Sequence, residues 1–204
     1  RPDLGQSHPA MKSLILALTL PLLIASCSVL KPVKDTSVNH LLDPVIPDHP
    51  ISGTTPAIAI TRPSLPSYLD RQQLVSRSGN GQLQMNSYHL WAEPLDSAIS
   101  RVTAINLSRL TNSLNIQPVE NFITLDYQTV LEIRVSRFEP DTSNNVILDC
   151  TWKLQRVSGP VANPHPFRTS VPVAASDTAI DFSSRVAAMH EAPARLAREI
   201  VRAP

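Results

Sequence analysis

Two stretches of alternating apolar and polar residues, 125–138 and 146–157, constrain the fold of this chain most strongly. Successive side chains of a β-strand point to opposite faces, so each stretch predicts a strand with one apolar face. The polar, turn-rich residues 139–145 between them predict an antiparallel hairpin. The residues expected to share its apolar face are Leu131, Ile133, Val135, Leu148, Cys150, Trp152 and Leu154.

Two helices are predicted to accompany this hairpin. Pro94 stands where proline favours a first helical turn, and apolar residues follow at helical spacing to residue 114. The polar residues between them, such as Ser100 and Asn106, are expected to face solvent. A second helix, capped by Ser176, runs towards the carboxyl end, and Pro193 inside it is expected to kink or split it.

Shorter patterns add strands to the predicted sheet. Residues 57–61 and 167–173 are typical of strands, the latter at an edge because it contains proline. Residues 73–77 and 82–85 flank Gly-Asn-Gly and predict a second hairpin. The predicted fold class is therefore α/β: a mixed, mostly antiparallel sheet packed with two long helices in a single compact domain.

The amino-terminal region has the features of a secretory signal. Met11 is interpreted as the start, Lys12 supplies a positive charge, and residues 14–25 are almost wholly apolar. Twelve helical residues span about 18 Å, which is less than the roughly 30 Å of a bilayer core. The run therefore predicts a cleaved signal peptide rather than a transmembrane helix.

This apolar run ends in Leu-Ile-Ala-Ser-Cys, the pattern of a bacterial lipobox. Small side chains admit a signal peptidase, and the Cys27 thiol accepts a diacylglyceryl group, so Cys27 is the predicted lipidation site. Several acyl chains make such an anchor effectively permanent. Ser28, in place of Asp, favours the outer membrane. The expected organisation is upstream residues plus signal peptide at 1–26, a lipidated, proline-rich tether at 27–56, and a domain at 57–204.

Composition excludes several classes of function. Apolar residues make up 42% of the chain and charged residues 17%, which favours a folded domain over a disordered chain. Eighteen basic and 17 acidic residues leave a net charge of +1, which argues against a nucleic-acid partner. No nucleophile–base arrangement, phosphate loop or metal-ligand spacing occurs, so no enzyme activity, cofactor or metal is predicted.

Two groups of residues have both a functional and a structural interpretation. Tyr68, Asp70 and Arg71 could form a partner-binding patch on an exposed loop, or they could fix that loop in place. Trp91 could be a docking anchor, although a position just before a helix favours packing in the core. The unpaired Cys150 is interpreted as a small buried apolar residue.

Three segments resemble a known family: LPSYLDR at 65–71, QLV at 73–75 and LWAEPL at 90–95. They are similar to the ABC-type transport auxiliary lipoproteins, the family of the paraquat-inducible Pqi lipoprotein, from about Val38 to the end. The resemblance implies a non-enzymatic outer-membrane docking component of an ABC/MCE-type intermembrane lipid transport system. Its implied partners are an MCE-domain periplasmic protein, the ABC transporter and further copies of the chain. The alternatives are a periplasmic lipid carrier, a general envelope-assembly lipoprotein and, least favoured, an envelope hydrolase.

Overall fold

The computed structural model describes residues 35–54, 57–121, 127–175 and 181–203. Described residues from Ser37 onwards belong to one α/β unit with two helices and two mixed sheets, which confirms the predicted fold class. The elements are β1 (Val38–His40), β2 (Ile58–Ile60), β3 (Gln73–Arg77), β4 (Leu83–Trp91), α1 (Leu95–Thr111), β5 (Ile116–Pro118), β6 (Thr129–Pro140), β7 (Asn145–Arg156), β8 (His165–Pro172) and α2 (Phe182–Arg202).

The larger sheet has the strand order β5-β2-β6-β7-β8. Strands β6 and β7 form the predicted antiparallel hairpin, with Leu131 opposite Leu154 and Glu132 opposite Lys153. Strand β8 lies at the edge, as its prolines predict, and β2 pairs in parallel with both β5 and β6. Strand β6 continues to Pro140, so Glu139 lies in the sheet rather than in the expected turn.

The smaller sheet has the order β1-β4-β3. Strands β3 and β4 form the second predicted hairpin, and β1 pairs in parallel with the other edge of β4. This division into two sheets differs from the single, mostly antiparallel sheet that was predicted. The buried apolar residues of both sheets and both helices nevertheless form one hydrophobic cluster.

Helix α1 begins directly after Pro94, as predicted, and packs against α2 and β5. Helix α2 packs against β6, β7 and β8 and is continuous across Pro193, which therefore does not split it. Its cap is Asp181, which accepts a hydrogen bond from the Ser183 amide at 2.9 Å, whereas the expected cap Ser176 lies outside the described residues. No helix in the described ranges combines the length and hydropathy needed to cross a bilayer.

Residues 41–54 form a strap over the polar side of α1. Leu42 and Ile46 are buried, and the Ile46 carbonyl oxygen accepts a hydrogen bond from the Arg109 guanidinium at 2.7 Å. The Asn106 side-chain oxygen accepts from the Ile46 amide at 3.2 Å, so Asn106 is buried rather than solvated as predicted. The compact unit thus begins at Ser37, before the expected boundary at 57, and the strap belongs to it.

Candidate functional site

The loop that carries Tyr68 is folded back on the larger sheet. The Leu69 amide donates a hydrogen bond to the Pro66 carbonyl at 2.9 Å, which closes a turn. The Tyr68 hydroxyl donates to Glu139 Oε2 at 2.9 Å, and the ring is half-buried. Burial of the hydroxyl and its bond to Glu139 raise the pKa of Tyr68 to about 12. Tyr68 therefore fixes the loop, which supports the structural interpretation of this residue.

Glu139 is the centre of a buried charge cluster. Its side chain is fully buried, and Oε1 accepts hydrogen bonds from Arg77 Nε at 2.8 Å and Arg137 Nε at 2.7 Å. Oε2 accepts from the Phe138 amide at 3.1 Å as well as from Tyr68. Because Arg77 lies on β3 and Arg137 on β6, this one carboxylate joins the two sheets and the loop. The sequence analysis placed Glu139 in a turn and so did not identify this role.

Asp70 and Arg71 lie on the solvent side of the same loop. Asp70 is exposed, and Arg71 is partly exposed. The Arg71 Nη1 atom contacts the Met85 sulfur at 2.7 Å, and its Nε is buried without a hydrogen-bond partner. Among the described residues, none of the ion pairs includes Arg71. The guanidinium is thus partly desolvated, and no carboxylate in the part of the chain that the structure describes forms an ion pair with it.

An irregularity in β4 brings further side chains to this surface. Gln73 pairs with Leu90 and Val75 pairs with Met85. Between these two pairs, β3 advances by two residues and β4 by five, so the extra residues bulge out of β4. The Asn86 side-chain oxygen accepts hydrogen bonds from the amides of Tyr88 at 2.8 Å and His89 at 3.0 Å, which satisfies the backbone in this bulge. Met85 and Tyr88 are left 49% and 61% exposed.

We call Asp70, Arg71, Met85 and Tyr88 the docking patch. It combines a carboxylate and a cation without an ion-pair partner among the described residues, both on the loop before β3, with two large exposed side chains on β4. The sequence analysis offered Asp70 and Arg71 as possible partner-binding residues but did not include Met85 or Tyr88. The sequence does contain a sign of the irregularity in β4: the large side chains of Met85 and Tyr88 are three residues apart, whereas a regular strand places side chains of one face two or four residues apart.

Trp91 lies in the core rather than at the surface. Its side chain is 4% exposed and belongs to the hydrophobic cluster, and its amide donates to the Gln72 carbonyl at 2.6 Å. The Trp91 ring is therefore not exposed to a partner, which favours the core interpretation over the docking-anchor interpretation.

Of the two cysteines, the structure describes Cys150 alone. Cys150 is buried, as predicted, and desolvation together with the nearby Asp149 charge raises the pKa of its thiol to about 12. Such a thiol is a poor nucleophile. Cys27, the predicted lipidation site, lies outside the described residues. In the described ranges, no group of three or more His, Cys, Asp or Glu side chains is placed to hold a metal ion.

Comparison with known proteins identifies the family. Residues 40–201 match the family described as the ABC-type transport auxiliary lipoprotein component, and the chain belongs to that family. This confirms the resemblance seen in the sequence. The family is one of membrane-anchored envelope lipoproteins associated with ABC transport. No curated protein sequence matches the chain.

Two solved structures share the fold at low sequence identity. A DUF330 protein from Xanthomonas campestris has a TM-score of 0.66 at 17% identity, with 81% of this chain and 93% of that chain covered. An uncharacterized protein has a TM-score of 0.65 at 18% identity, with 82% and 97% covered. A PelC dodecamer from Paraburkholderia phytofirmans has a TM-score of 0.40 at 14% identity, with 71% and 91% covered.

Proposed function

We propose that this protein is an outer-membrane lipoprotein accessory of an ABC/MCE-type intermembrane transport system, in which it acts as a docking component without enzymatic activity. The observation that carries the docking role is the partly desolvated Arg71 guanidinium in contact with the exposed Met85, on the strand that also exposes Tyr88. Family membership supports the association with an ABC transporter.

The docking patch has the composition of an interface hot spot. Arginine and tyrosine are enriched among the residues that contribute most to binding, and methionine adapts to varied apolar partners. Arg71 has already lost part of its hydration, so a partner carboxylate would compensate it at little further desolvation cost. The fitting partner surface is acidic and apolar, and we assign it to the MCE-domain periplasmic protein.

The membrane attachment rests on the amino-terminal sequence. The lipobox ending at Cys27 supports a lipid anchor, and Ser28 supports sorting to the outer membrane on the periplasmic side. Ten residues separate Cys27 from Val38, which at about 3.5 Å per residue allow the domain to stand at most roughly 35 Å from the bilayer. The MCE-domain protein, which is expected to bridge the periplasm, would span the rest of it.

The alternative of a lipid carrier has less support. The buried apolar side chains of the described residues pack into one cluster, which favours a filled core over a lipid cavity. Native mass spectrometry of the gently extracted chain separates the two: a bound acyl lipid at stoichiometric occupancy would favour the carrier. A general envelope-assembly role would instead give co-purifying proteins without transporter components.

A pull-down with matched variants tests the docking proposal. The chain from Met11, tagged at its carboxyl end, is expressed in its own host, and membranes are extracted gently. We expect an MCE-domain protein and its ABC partners to co-purify, and Arg71→Ala with Tyr88→Ala to lower their recovery about tenfold. Arg168→Ala is the control, because Arg168 is an exposed arginine on β8 in the other sheet.

Two results would count against the proposal. Recovery of the folded, lipidated protein alone would remove the transport role. Equal loss in the Arg168→Ala control would remove the docking patch, because a non-specific loss of surface charge would then explain the effect. Chemical cross-linking of the same preparation tests self-association independently, since copies linked to each other migrate as defined multiples of the monomer.

A further inference from the structure

Three histidines from three separate elements converge where β1 joins the domain. His40 lies on β1, His89 on β4 and His190 on α2. His40 Nε2 is 2.8 Å from His89 Nδ1, and the two rings are stacked with centroids 5.1 Å apart. A hydrogen bond between two ring nitrogens requires a proton on one and a lone pair on the other. It therefore cannot persist when both rings are imidazolium.

The stack continues into α2. His89 lies on the Phe182 ring, with centroids 3.9 Å apart and planes 12° apart, and the Arg185 guanidinium lies 5.7 Å from the same ring. His190 Nε2 is 3.1 Å from the Leu41 carbonyl oxygen, directly after β1. The contacts thus tie β1 to β4 on one side and to α2 on the other.

The other charged groups near the stack belong to the same elements and the strap. Asp43 follows β1 in the strap, and Arg185 adds a positive charge on α2. Beyond β1, Arg101 is paired with Glu93 and donates to the Leu42 carbonyl oxygen at 2.7 Å. That bond holds the start of the strap independently of any imidazole.

We propose that His40 and His89 form an acid-labile clasp that fastens β1 to the domain and releases it when both imidazoles are protonated. Strand β1 has only three residues and pairs with a single neighbour, and the Ala92 amide donates to the His40 carbonyl oxygen at 2.8 Å. So short a pairing contributes little stability, and the histidine contacts add to it. Protonation of both rings breaks the bond between His40 and His89 and places like charges within one stack. Release stops at Leu41, because a protonated His190 still donates to the Leu41 carbonyl oxygen, and Leu42 is fully buried with its carbonyl bound by Arg101.

The direction of the pH effect follows from the surroundings of His40. Burial, and then the nearby His89 and His190, lower the pKa of His40 below its ordinary value of 6.5. The closed state therefore binds fewer protons than the open one. Its stabilisation is fully present above about pH 6.5 and is lost as the pH falls below that value, towards the lowered pKa.

Release would lengthen the chain between membrane and domain. Freeing residues 38–40 adds three residues to the linker, or roughly 10 Å of reach at about 3.5 Å per residue. This consequence rests on the proposed lipid anchor at Cys27, whereas the clasp itself does not. Acidification would then let the domain stand further from the bilayer without unfolding it.

A nitroxide label on β1 tests the clasp in the full chain. Asn39 is exposed, and Asn39→Cys accepts the label, whereas the buried Cys150 thiol with its raised pKa does not react. The unsubstituted chain gives the background from Cys27. We expect the mobile fraction of the spectrum to rise roughly twofold or more between about pH 7.5 and pH 5.5, with unchanged far-UV circular dichroism.

Two variants decide whether the histidines cause the change. His89→Phe keeps an aromatic ring against Phe182 but cannot be protonated, and with His40→Gln it should abolish the pH response. His165→Gln, on β8 outside the stack, should leave it intact. A label that is equally immobile at both pH values, or a response that persists in the double variant, overturns the proposal. Pull-down recovery at neutral pH is unaffected by either result, so the docking proposal is judged separately.

Discussion

Replacing Glu139 by glutamine tests whether the buried charge cluster holds the two sheets together. Glutamine keeps the shape of the side chain but removes the charge that faces Arg77 and Arg137. In one orientation of the glutamine amide, its NH2 group faces Arg77 and Arg137; in the other orientation, it faces the Phe138 amide. All three of these groups are hydrogen-bond donors, and an NH2 group cannot accept from them. At least one donor is left unpaired in the variant.

The magnitude follows from the hydrogen bonds that are lost. A hydrogen bond to a charged group contributes about 1.5–3 kcal/mol, and Glu139 accepts two from arginines. The Arg77 and Arg137 side chains are 31% and 23% exposed, so water recovers part of that loss. We expect the free energy of unfolding to fall by about 3 kcal/mol, which for a domain of this size lowers Tm by roughly 6–12 °C.

Urea unfolding at neutral pH, followed by circular dichroism, measures the change, and Glu132→Gln is the matched control. Glu132 is also on β6 and pairs with Lys153 at 3.1 Å, but its side chain is 46% exposed. An exposed ion pair contributes little, so the control should lose less than about 1 kcal/mol. Equal losses in the two variants, or a loss below about 0.5 kcal/mol at Glu139, would refute the reasoning.

Three further predictions address the strap, its bridge to α1 and the lone thiol. Leu42→Ala should lower the free energy of unfolding by about 3 kcal/mol in the same urea assay, because Leu42 is fully buried; a free tether would give no change. Gly53→Ala should lower it by about 2 kcal/mol, since the added Cβ overlaps the Asn112 carbonyl oxygen; Tm unchanged would contradict this contact. Cys150 should resist iodoacetamide at pH 8 in the folded chain and react in urea, as mass spectrometry of the alkylated protein would record, because burial raises its thiol pKa to about 12.

Several features of this protein were determined by the sequence alone because they are local. The β6–β7 hairpin follows from a period-two alternation, and the start of α1 follows from Pro94 and helical spacing. The family assignment likewise followed from short segments such as residues 90–95 and is confirmed over residues 40–201. Each of these signals is contained in a few consecutive residues.

Tertiary structure alone decided the position of the strap and the burial of polar residues on α1. Ile46 and Asn106 are 60 positions apart, and their hydrogen bond explains both why the strap is folded and why Asn106 is inside. No local pattern encodes such a partner, so residues 41–54, rich in proline, were expected to form a tether.

The candidate site likewise contains residues that their own segment pointed to and residues that only the folded chain brings beside them. Asp70 and Arg71 were identified from their segment, but their neighbours Met85 and Tyr88 come from a bulge that exists only because β3 and β4 pair out of register. Glu139 is stable in the interior only because Arg77, 62 positions away, and Tyr68, 71 positions away, both reach it. A buried charge depends on its partners, and only the folded chain brings those partners together.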